Sequence, residues 1–241
     1  MQNTTISKTK VRRAADRGTA NHGWLQARFT FSFSGYFDPD HMGFRTLRVM
    51  NNDTIAPGGG FPTHPHSDME IFTYVIDGEL AHKDSMGNGS IIKAGDLQYM
   101  SAGSGVQHSE FNPSSENSAE LYQVWLHPKE PGGEPRYAEK PLGSMAKDNA
   151  LTLLFSADGR DDSTAIRQDA EIYFGKLNVE NTVSVPSSEA TPHVWLQVLK
   201  GNVSALGETL ETGDGIAIED APDAFDVTAS ANTHFLLFRL N

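Results

Sequence analysis

Short runs of β-branched and aromatic residues recur along the chain, and Gly, Pro, Asn or Asp bounds each run. Such runs predict strands, because these side chains favour extended backbone and the bounding residues favour turns. We find no pattern of a long amphipathic helix, so the sequence predicts an all-β protein. The clearest predicted strands are Phe44–Met50, Met69–Ile76, Glu120–Leu126, Val194–Leu199 and Phe235–Arg239.

One segment without a strand pattern divides the chain. Residues 131–150 are rich in Pro, Gly and charge and predict a linker or crossover between an N-terminal domain, 1–130, and a C-terminal domain, 151–241. The halves share a weak repeat, YVIDGEL…IIKAGDLQYMSAG and QVLKGNV…ETLETGDGIAIED. Coincidence can produce such patterns in all-β proteins, but the matched Gly-Asp spacing favours a duplicated domain.

Composition narrows the classes of function. The net charge is −12, and neither half offers the basic surface that nucleic acid or an anionic membrane would require. No apolar run reaches the roughly 18 residues of a membrane span, and the polar N-terminus lacks an apolar leader, so we expect a cytoplasmic protein. The chain has no cysteine, so a transition-metal site would have to use His, Asp or Glu.

Two pairs of potential metal ligands have members two residues apart, His64 with His66 and His108 with Glu110. Residues i and i+2 of a strand point to the same side, so each pair can converge on one ion. Pro65 forbids helix at His64 and places the pair at a strand start or edge. Taken alone, His-Pro-His more often marks two surface histidines near a turn. The second pair in the same half is what favours a metal site with open coordination positions.

The same two segments resemble the cupin motifs. The first contains His64, His66, Glu70 and Gly78. The second contains Gly95, Gly103 and His108 and ends at Asn112. A long Gly–His spacing and the His-x-Glu pair are departures that resemble the pirin family. Further segments similar to bacterial pirins are residues 20–25, 31–53, 58–78, 82–88 (HKDSMGN), 100–114 and 135–137.

The resemblance implies two cupin-type jelly-roll β-barrels in one chain, a bicupin. It also implies one divalent transition metal, Fe(II) in the first place, with Mn, Ni, Co, Cu or Zn compatible with the same ligands. The implied ligands are His64, His66, His108 and Glu110, while Glu70 lies outside the ligand set. The C-terminal half has no comparable pair of residues and resembles a cupin that has lost its metal.

For function, the resemblance implies a quercetin 2,3-dioxygenase that opens a flavonol ring with O2 and releases carbon monoxide. Glu110 would act as metal ligand and as catalytic base for the substrate's 3-hydroxyl. Phe61, Phe72 and Phe111 are candidates for an apolar pocket or for ordinary core. Two alternatives remain: a metal- or redox-dependent protein that binds a protein partner without turnover, and an enzyme acting on another small molecule.

Overall fold

The computed structural model describes residues 8–221 and 224–241, and almost all of its regular structure is strand. Within this described part the only helices are a 3-10 turn, Ala14–Asp16, and one short α-helix, α1, Leu142–Met145. No helix there is long and apolar enough to cross a membrane. The first eleven strands are β1 (Lys8–Arg12), β2 (Gly18–Asn21), β3 (Leu25–Phe29), β4 (Leu47–Ile55), β5 (Gly60–His66), β6 (Glu70–Asp77), β7 (Glu79–Asp84), β8 (Gly89–Lys93), β9 (Leu97–Ser101), β10 (Val106–Phe111) and β11 (Ala119–Leu126).

The remaining strands belong to the second half of the chain. All five strands expected from the hydrophobic pattern overlap observed strands, so the all-β prediction is confirmed. The second eleven strands are β12 (Arg136–Lys140), β13 (Ala150–Ser156), β14 (Thr164–Ala165), β15 (Ala170–Leu177), β16 (Thr182–Val185), β17 (His193–Lys200), β18 (Val203–Ala205), β19 (Glu208–Leu210), β20 (Gly215–Glu219), β21 (Phe225–Ala229) and β22 (Thr233–Leu240).

The chain forms two compact units. We call residues 17–145 the N-terminal barrel, and residues 146–241 together with the segment that precedes residue 17 the C-terminal barrel. The N-terminal barrel has a seven-stranded sheet in the order β12-β9-β6-β11-β4-β3-β2 and a four-stranded sheet in the order β5-β10-β7-β8. The C-terminal barrel repeats this plan with β1-β20-β17-β22-β15-β13-β14 and β16-β21-β18-β19. The repeated plan agrees with the duplication expected from the sequence.

The unit boundaries differ from the predicted domain ranges in two places. Strand β1 lies at the start of the chain but pairs with β20 of the C-terminal barrel. Strand β12 and helix α1 lie within residues 131–150, where we predicted a linker, and β12 pairs with β9 of the N-terminal barrel. Each is an edge strand without apolar alternation, so its pairing depends on backbone hydrogen bonds that a hydrophobic pattern does not reveal.

The two barrels have different interiors. Sixteen buried residues, all apolar, form one continuous core in the C-terminal barrel, and they include the inward positions of β16 and β21. The N-terminal barrel has two smaller apolar clusters, one of eight and one of four buried residues. Between its sheets lie buried polar side chains and a cavity, and the candidate site lies there.

Candidate metal centre

Strands β5 and β10 bring the predicted histidines together. Strand β5 is the edge of the four-stranded sheet, as the proline between its two histidines requires. It pairs antiparallel with β10, so that His64 lies opposite His108 and His66 lies opposite Val106. The two-residue period of the strand turns both β5 histidines toward His108, and the three ring centroids lie 4.5–4.8 Å apart.

A β-bulge separates His108 from Glu110. The register shifts there, because Glu110 pairs with Phe61 while His108 pairs with His64, which leaves one extra residue on β5. Bulges of this kind change the direction of side chains next to functional sites. Glu110 is only 2% exposed, and one carboxylate oxygen accepts a hydrogen bond from Gln123 Nε2 at 2.9 Å. Its other oxygen, Oε1, has no hydrogen-bond partner in the described part of the chain.

Hydrogen bonding fixes the tautomer of His64. Its Nδ1 lies 2.8 Å from the carbonyl oxygen of Pro62, which can only accept, so Nδ1 carries the proton. The Nε2 atom of His64 therefore has a free lone pair, and it faces Nε2 of His108 at 3.0 Å. Two imidazole nitrogens turned toward each other, with a third ring beside them, form the arrangement that a shared cation satisfies.

Burial favours the neutral forms of His66 and His108, which metal ligation requires. Burial, followed by the electrostatic effect of the neighbouring His64, lowers the pKa of His66 to about 4. Burial and then the neighbouring histidines lower the pKa of His108 to about 3. Burial raises the pKa of Glu110 to about 7, and hydrogen bonds from Gln123 and Thr73 oppose that shift. A nearby cation would reverse this last shift, since it favours the charged carboxylate.

The four predicted ligands do not form one equal set. His64, His66 and His108 each place a ligand nitrogen within 4.8 Å of the others. Glu110 lies deeper in the barrel, where it forms a second cluster within the same limit with His108 and His82. All three clustered histidines and Glu110 fit a divalent transition metal by donor chemistry, since neutral imidazole and carboxylate suit these ions.

Glu70, set aside from the ligand set, has partners of its own. Its carboxylate accepts hydrogen bonds from the Tyr99 hydroxyl at 2.5 Å and the Ser101 hydroxyl at 2.6 Å. The side chain is 1% exposed. These bonds tie β6 to β9 in the middle of the seven-stranded sheet, so Glu70 has a structural partner set on a different strand pair from the histidines.

A cavity of about 480 Å³ opens onto the histidine cluster. Its walls are largely aromatic: Trp24 meets Phe61 edge to face at 5.0 Å, and Phe33 meets Trp125 edge to face at 5.5 Å. Trp125 also contacts the ring of His66 at 4.9 Å. The lining residues are His22, Trp24, Leu25, Ala27, Phe29, Phe33, Ser34, Asn51, Asp53, Phe61, His64, His66, Glu110, Gln123 and Trp125.

Of the three phenylalanines considered for a pocket, only Phe61 lines this cavity. Phe72 is buried in the sheet beside Tyr99, with the ring centroids 5.2 Å apart. Phe111 is exposed. Position explains the difference, because Phe111 is one residue beyond inward-facing Glu110 and so lies on the opposite side of β10.

Sequence reasoning missed several polar residues of the cavity. The expected strand ended at Met50, because the next four residues are polar, yet β4 continues to Ile55. Asn51 and Asp53 alternate inward on that extension, and each has one buried oxygen without a partner in the described residues. Burial and then the charge of Glu110 raise the pKa of Asp53 to about 7. The period-two spacing of Asn51 and Asp53 was a usable signal.

His82 lies outside the predicted ligand set, and the structure shows it 3% exposed beside the site. Its ring lies 5.3 Å from that of His108. Burial lowers its pKa, and the contact with Asp84 opposes this shift. A histidine followed two residues later by a carboxylate on a neighbouring strand was the available signal, the same spacing that drew attention to the ligands.

The fold and site define a metal-binding bicupin, and the comparisons with known proteins agree. Residues 8–126 match the Pirin family model, and residues 153–240 match the Quercetinase C-terminal cupin domain. The chain belongs to the pirin family. It is 46% identical to a quercetin 2,3-dioxygenase of Escherichia coli over 95% of this chain and 97% of the relative.

Two further relatives place the site in context. A pirin-like protein of Caulobacter vibrioides is 41% identical, over 84% of this chain and 87% of the relative. The crystal structure of the bacterial pirin YhhW from Escherichia coli in complex with nickel(II) superposes with a TM-score of 0.91 at 44% identity, covering 97% of this chain and 99% of that one. A single metal site is thus supported for this chain, while the identity of the metal is not fixed by the likeness.

Proposed function

We propose that this chain is a metal-dependent dioxygenase that opens flavonols such as quercetin with O2. The observation that carries the proposal is the convergence of three imidazole rings beside an aromatic-walled cavity. The names of relatives at 41–46% identity support the reaction class. Fold alone would not support it, because cupin barrels host many reactions.

The proposed ligands are His64, His66, His108 and Glu110. The lone pair of His64 Nε2 and the depressed pKa values of His66 and His108 leave these nitrogens ready to bind without first losing a proton. Glu110 supplies the single carboxylate, with Oε1 unpartnered. We propose Fe(II) as the metal. Mn, Ni, Co, Cu and Zn suit the same donors, and a relative binds nickel.

The cavity suits a flat, hydroxylated aromatic substrate. Its aromatic side walls, which include Trp24, Phe33 and Trp125, offer faces and edges for stacking. Its polar end carries oxygens of Asn51 and Asp53 that have no donor in the described residues, so an occupant with hydroxyl groups completes them. A volume of about 480 Å³ lies in the range of small-molecule sites.

The division of labour follows from the positions of the side chains. When bound, a divalent metal supplies Lewis-acid binding of the substrate's 3-hydroxyl and activation of O2. Glu110, the buried carboxylate beside the histidines whose Oε1 has no partner in the described residues, accepts the 3-hydroxyl proton. Gln123 holds the carboxylate in place through its amide N–H. The aromatic walls keep bulk water away from the substrate ring.

The test is turnover by protein of defined metal content. Metal-free protein is reloaded without oxygen with Fe(II), Mn(II), Co(II), Ni(II) or Cu(II) and then mixed with quercetin in air. We expect ring opening with stoichiometric O2 uptake and carbon monoxide release in at least one form, well above the same free metal. If every form binds metal and none exceeds that background, the dioxygenase proposal is wrong.

The turnover assay, combined with a pull-down from the native host under reducing and oxidising conditions, distinguishes the enzyme from the regulatory alternative. A protein that binds metal without turning over flavonols, and that captures a specific host protein in only one oxidation state, would be an interaction protein. Turnover in a defined metal form would instead support the enzyme. A flavonol-inactive protein that turns over another hydroxylated aromatic would keep the site chemistry and change only the substrate.

A further inference from the structure

The segment HKDSMGN, residues 82–88, takes no part in the function proposed above, yet it lies against the site. Strand β10 has two neighbours, β5 with two candidate ligands and β7 with His82 and Asp84. Across the β10–β7 pairing, His108 lies opposite Asp84, and Glu110 lies opposite His82. Both β7 side chains are fully buried, so a second histidine and a second carboxylate lie directly behind the ligands.

Asp84 is held as an ionised acceptor. Its Oδ1 accepts hydrogen bonds from the backbone N–H groups of Met86 and Asn88, each at 2.9 Å, and Oδ2 accepts one from Asn88 Nδ2 at 2.8 Å. Burial alone would raise the pKa of Asp84, but these bonds and the one from His82 outweigh it and hold the pKa below its usual value. The turn that follows β7 therefore holds the Asp84 carboxylate in place through these hydrogen bonds.

Asp84 in turn sets the tautomer of His82. Oδ2 of the carboxylate lies 3.3 Å from His82 Nε2, and a carboxylate can only accept, so Nε2 of His82 carries the proton. In the neutral ring Nδ1 is then left as an acceptor. That nitrogen is buried and has no hydrogen-bond partner within residues 8–221 and 224–241.

His108 needs an acceptor for the proton on the ring nitrogen that does not face His64. Its Nε2 faces His64, so binding a cation there leaves the proton on Nδ1. His108 Nδ1 is also buried and unpartnered in the described residues. His64 meets the equivalent need through the carbonyl of Pro62. One ligand atom from each of His82, His108 and Glu110 lies within 4.8 Å of the other two, and the His82 and His108 ring centroids are 5.3 Å apart.

We propose that His82 is the positioning residue for His108: it accepts the Nδ1–H of His108 while Asp84 accepts the Nε2–H of His82. This chain of two hydrogen bonds orients the buried His108 ring and selects its metal-binding tautomer. The inference rests on the proposed metal centre but not on flavonol turnover.

Tyr137 keeps the His82 ring in its plane. The two rings stack with centroids 5.1 Å apart and planes 25° apart. The Tyr137 hydroxyl is held by Ser90 at 2.7 Å and by Glu139 at 2.7 Å. Tyr137 lies on β12, so the edge strand that replaces the expected linker also supports the ring behind the metal centre.

The first test reads the tautomers directly in the unaltered protein. Zn(II)-loaded protein with 15N-labelled histidine shows which ring nitrogen of each histidine carries hydrogen. We expect His82 protonated at Nε2 with an acceptor-type Nδ1, and His108 protonated at Nδ1 with a slowly exchanging proton. A His82 ring protonated at Nδ1, or a His108 Nδ1–H bonded to Glu110 instead, overturns the inference. No variant has to fold for this result.

The second test measures metal affinity. His82→Phe keeps an aromatic ring that can stack on Tyr137 but removes both nitrogens, and we expect Ni(II) and Zn(II) to bind about 10–100-fold more weakly by chelator competition. His82→Asn returns an acceptor at the Nδ1 position and should recover most of the affinity. His127→Phe makes the same change at an exposed histidine and should leave binding unchanged.

The outcomes separate this inference from the function. Folded His82→Phe protein with unaltered affinity, or His82→Asn protein as weak as the Phe variant, overturns the positioning role. Unaltered protein that binds no metal overturns the metal centre and the inference together. Unaltered protein that binds metal and shows the expected tautomers but leaves quercetin intact supports the inference and refutes only the dioxygenase proposal.

Discussion

The N-terminal and C-terminal barrels share one strand plan and differ in what fills them. In the C-terminal barrel, β16 and β21 pair with Val183 opposite Val227, and both side chains join the apolar core. In the N-terminal barrel, β5 and β10 pair with His64 opposite His108, and both face a cavity cluster. The comparison shows that the same strand arrangement can enclose either an apolar core or a polar site. The side chains at a few inward-facing positions on two strands decide which of the two it encloses.

The two interiors also differ in energy. The continuous core of the C-terminal barrel stabilises its fold through the burial of apolar side chains. The N-terminal barrel buries Asp53 and Glu110, whose raised pKa values show that the charged forms are disfavoured there. Unpaired buried polar groups lower stability, and proteins retain them chiefly where function requires them.

The largest effect on metal binding and turnover should come from removing a candidate metal ligand in the N-terminal barrel. We expect His66→Ala to lose bound metal by at least 100-fold in affinity and to lose turnover with it, because it removes one of three converging imidazoles. Elemental analysis and chelator competition measure the loss. His193→Ala removes a histidine of the C-terminal barrel and should retain full metal content. Full metal content in the His66 variant would refute the ligand assignment.

A change at Glu110 should be nearly as large in rate but smaller in metal content. Its counterpart two residues beyond Val227 is Ala229, a core residue. Glu110→Gln keeps the shape and the contact with Gln123 but cannot accept a proton, so we expect kcat to fall about 10²–10⁴-fold. Turnover per bound metal is the measurement. Retained kcat at normal metal content would exclude Glu110 as the base.

The sequence predicts some of the features that distinguish the two barrels and not others. Strand periodicity and the two i, i+2 pairs predict the three-histidine cluster, because spacing along a strand fixes the side on which a side chain lies. The sequence does not predict the inward positions of Asn51 and Asp53, because polar residues inside a barrel violate the expected alternation of apolar and polar positions. It does not predict the position of His82 beside the site, because that position depends on the β7–β10 pairing. It does not predict the edge strands β1 and β12, because backbone pairing leaves no hydrophobic pattern.

A substitution in the core of the C-terminal barrel should lower the free energy of unfolding and leave the metal affinity unchanged. Leu196 is fully buried in the apolar core of the C-terminal barrel, so Leu196→Ala should cost about 2–5 kcal/mol of unfolding free energy. Trp195 is the one tryptophan of this barrel, and a Trp24→Phe, Trp125→Phe background makes it a specific fluorescence probe. Urea titration in that background gives the loss of unfolding free energy. Metal binding is measured on the single variant Leu196→Ala, in which Trp24 and Trp125 are intact, and the folded protein should bind metal normally. A matching loss of metal affinity would show that the barrels do not act independently.

The smallest effect concerns the pH dependence of the stability of the N-terminal barrel. The folded-state pKa of Asp53 is raised to about 7, so its contribution to stability is fully present below the unfolded value near 4 and is lost as the pH rises through 7. Each such carboxyl makes metal-free protein lose about 1.4 kcal/mol per pH unit within that window. Asp53→Asn removes one of the two carboxyls whose pKa is raised to about 7 and should make the decline between pH 5 and 7 clearly shallower in urea titrations. The isosteric Asp226→Asn change, at an exposed position of β21, should leave the slope as it is. An unchanged slope in the Asp53 variant would mean that Asp53 ionises normally, and that the polar interior costs the N-terminal barrel less than its burial implies.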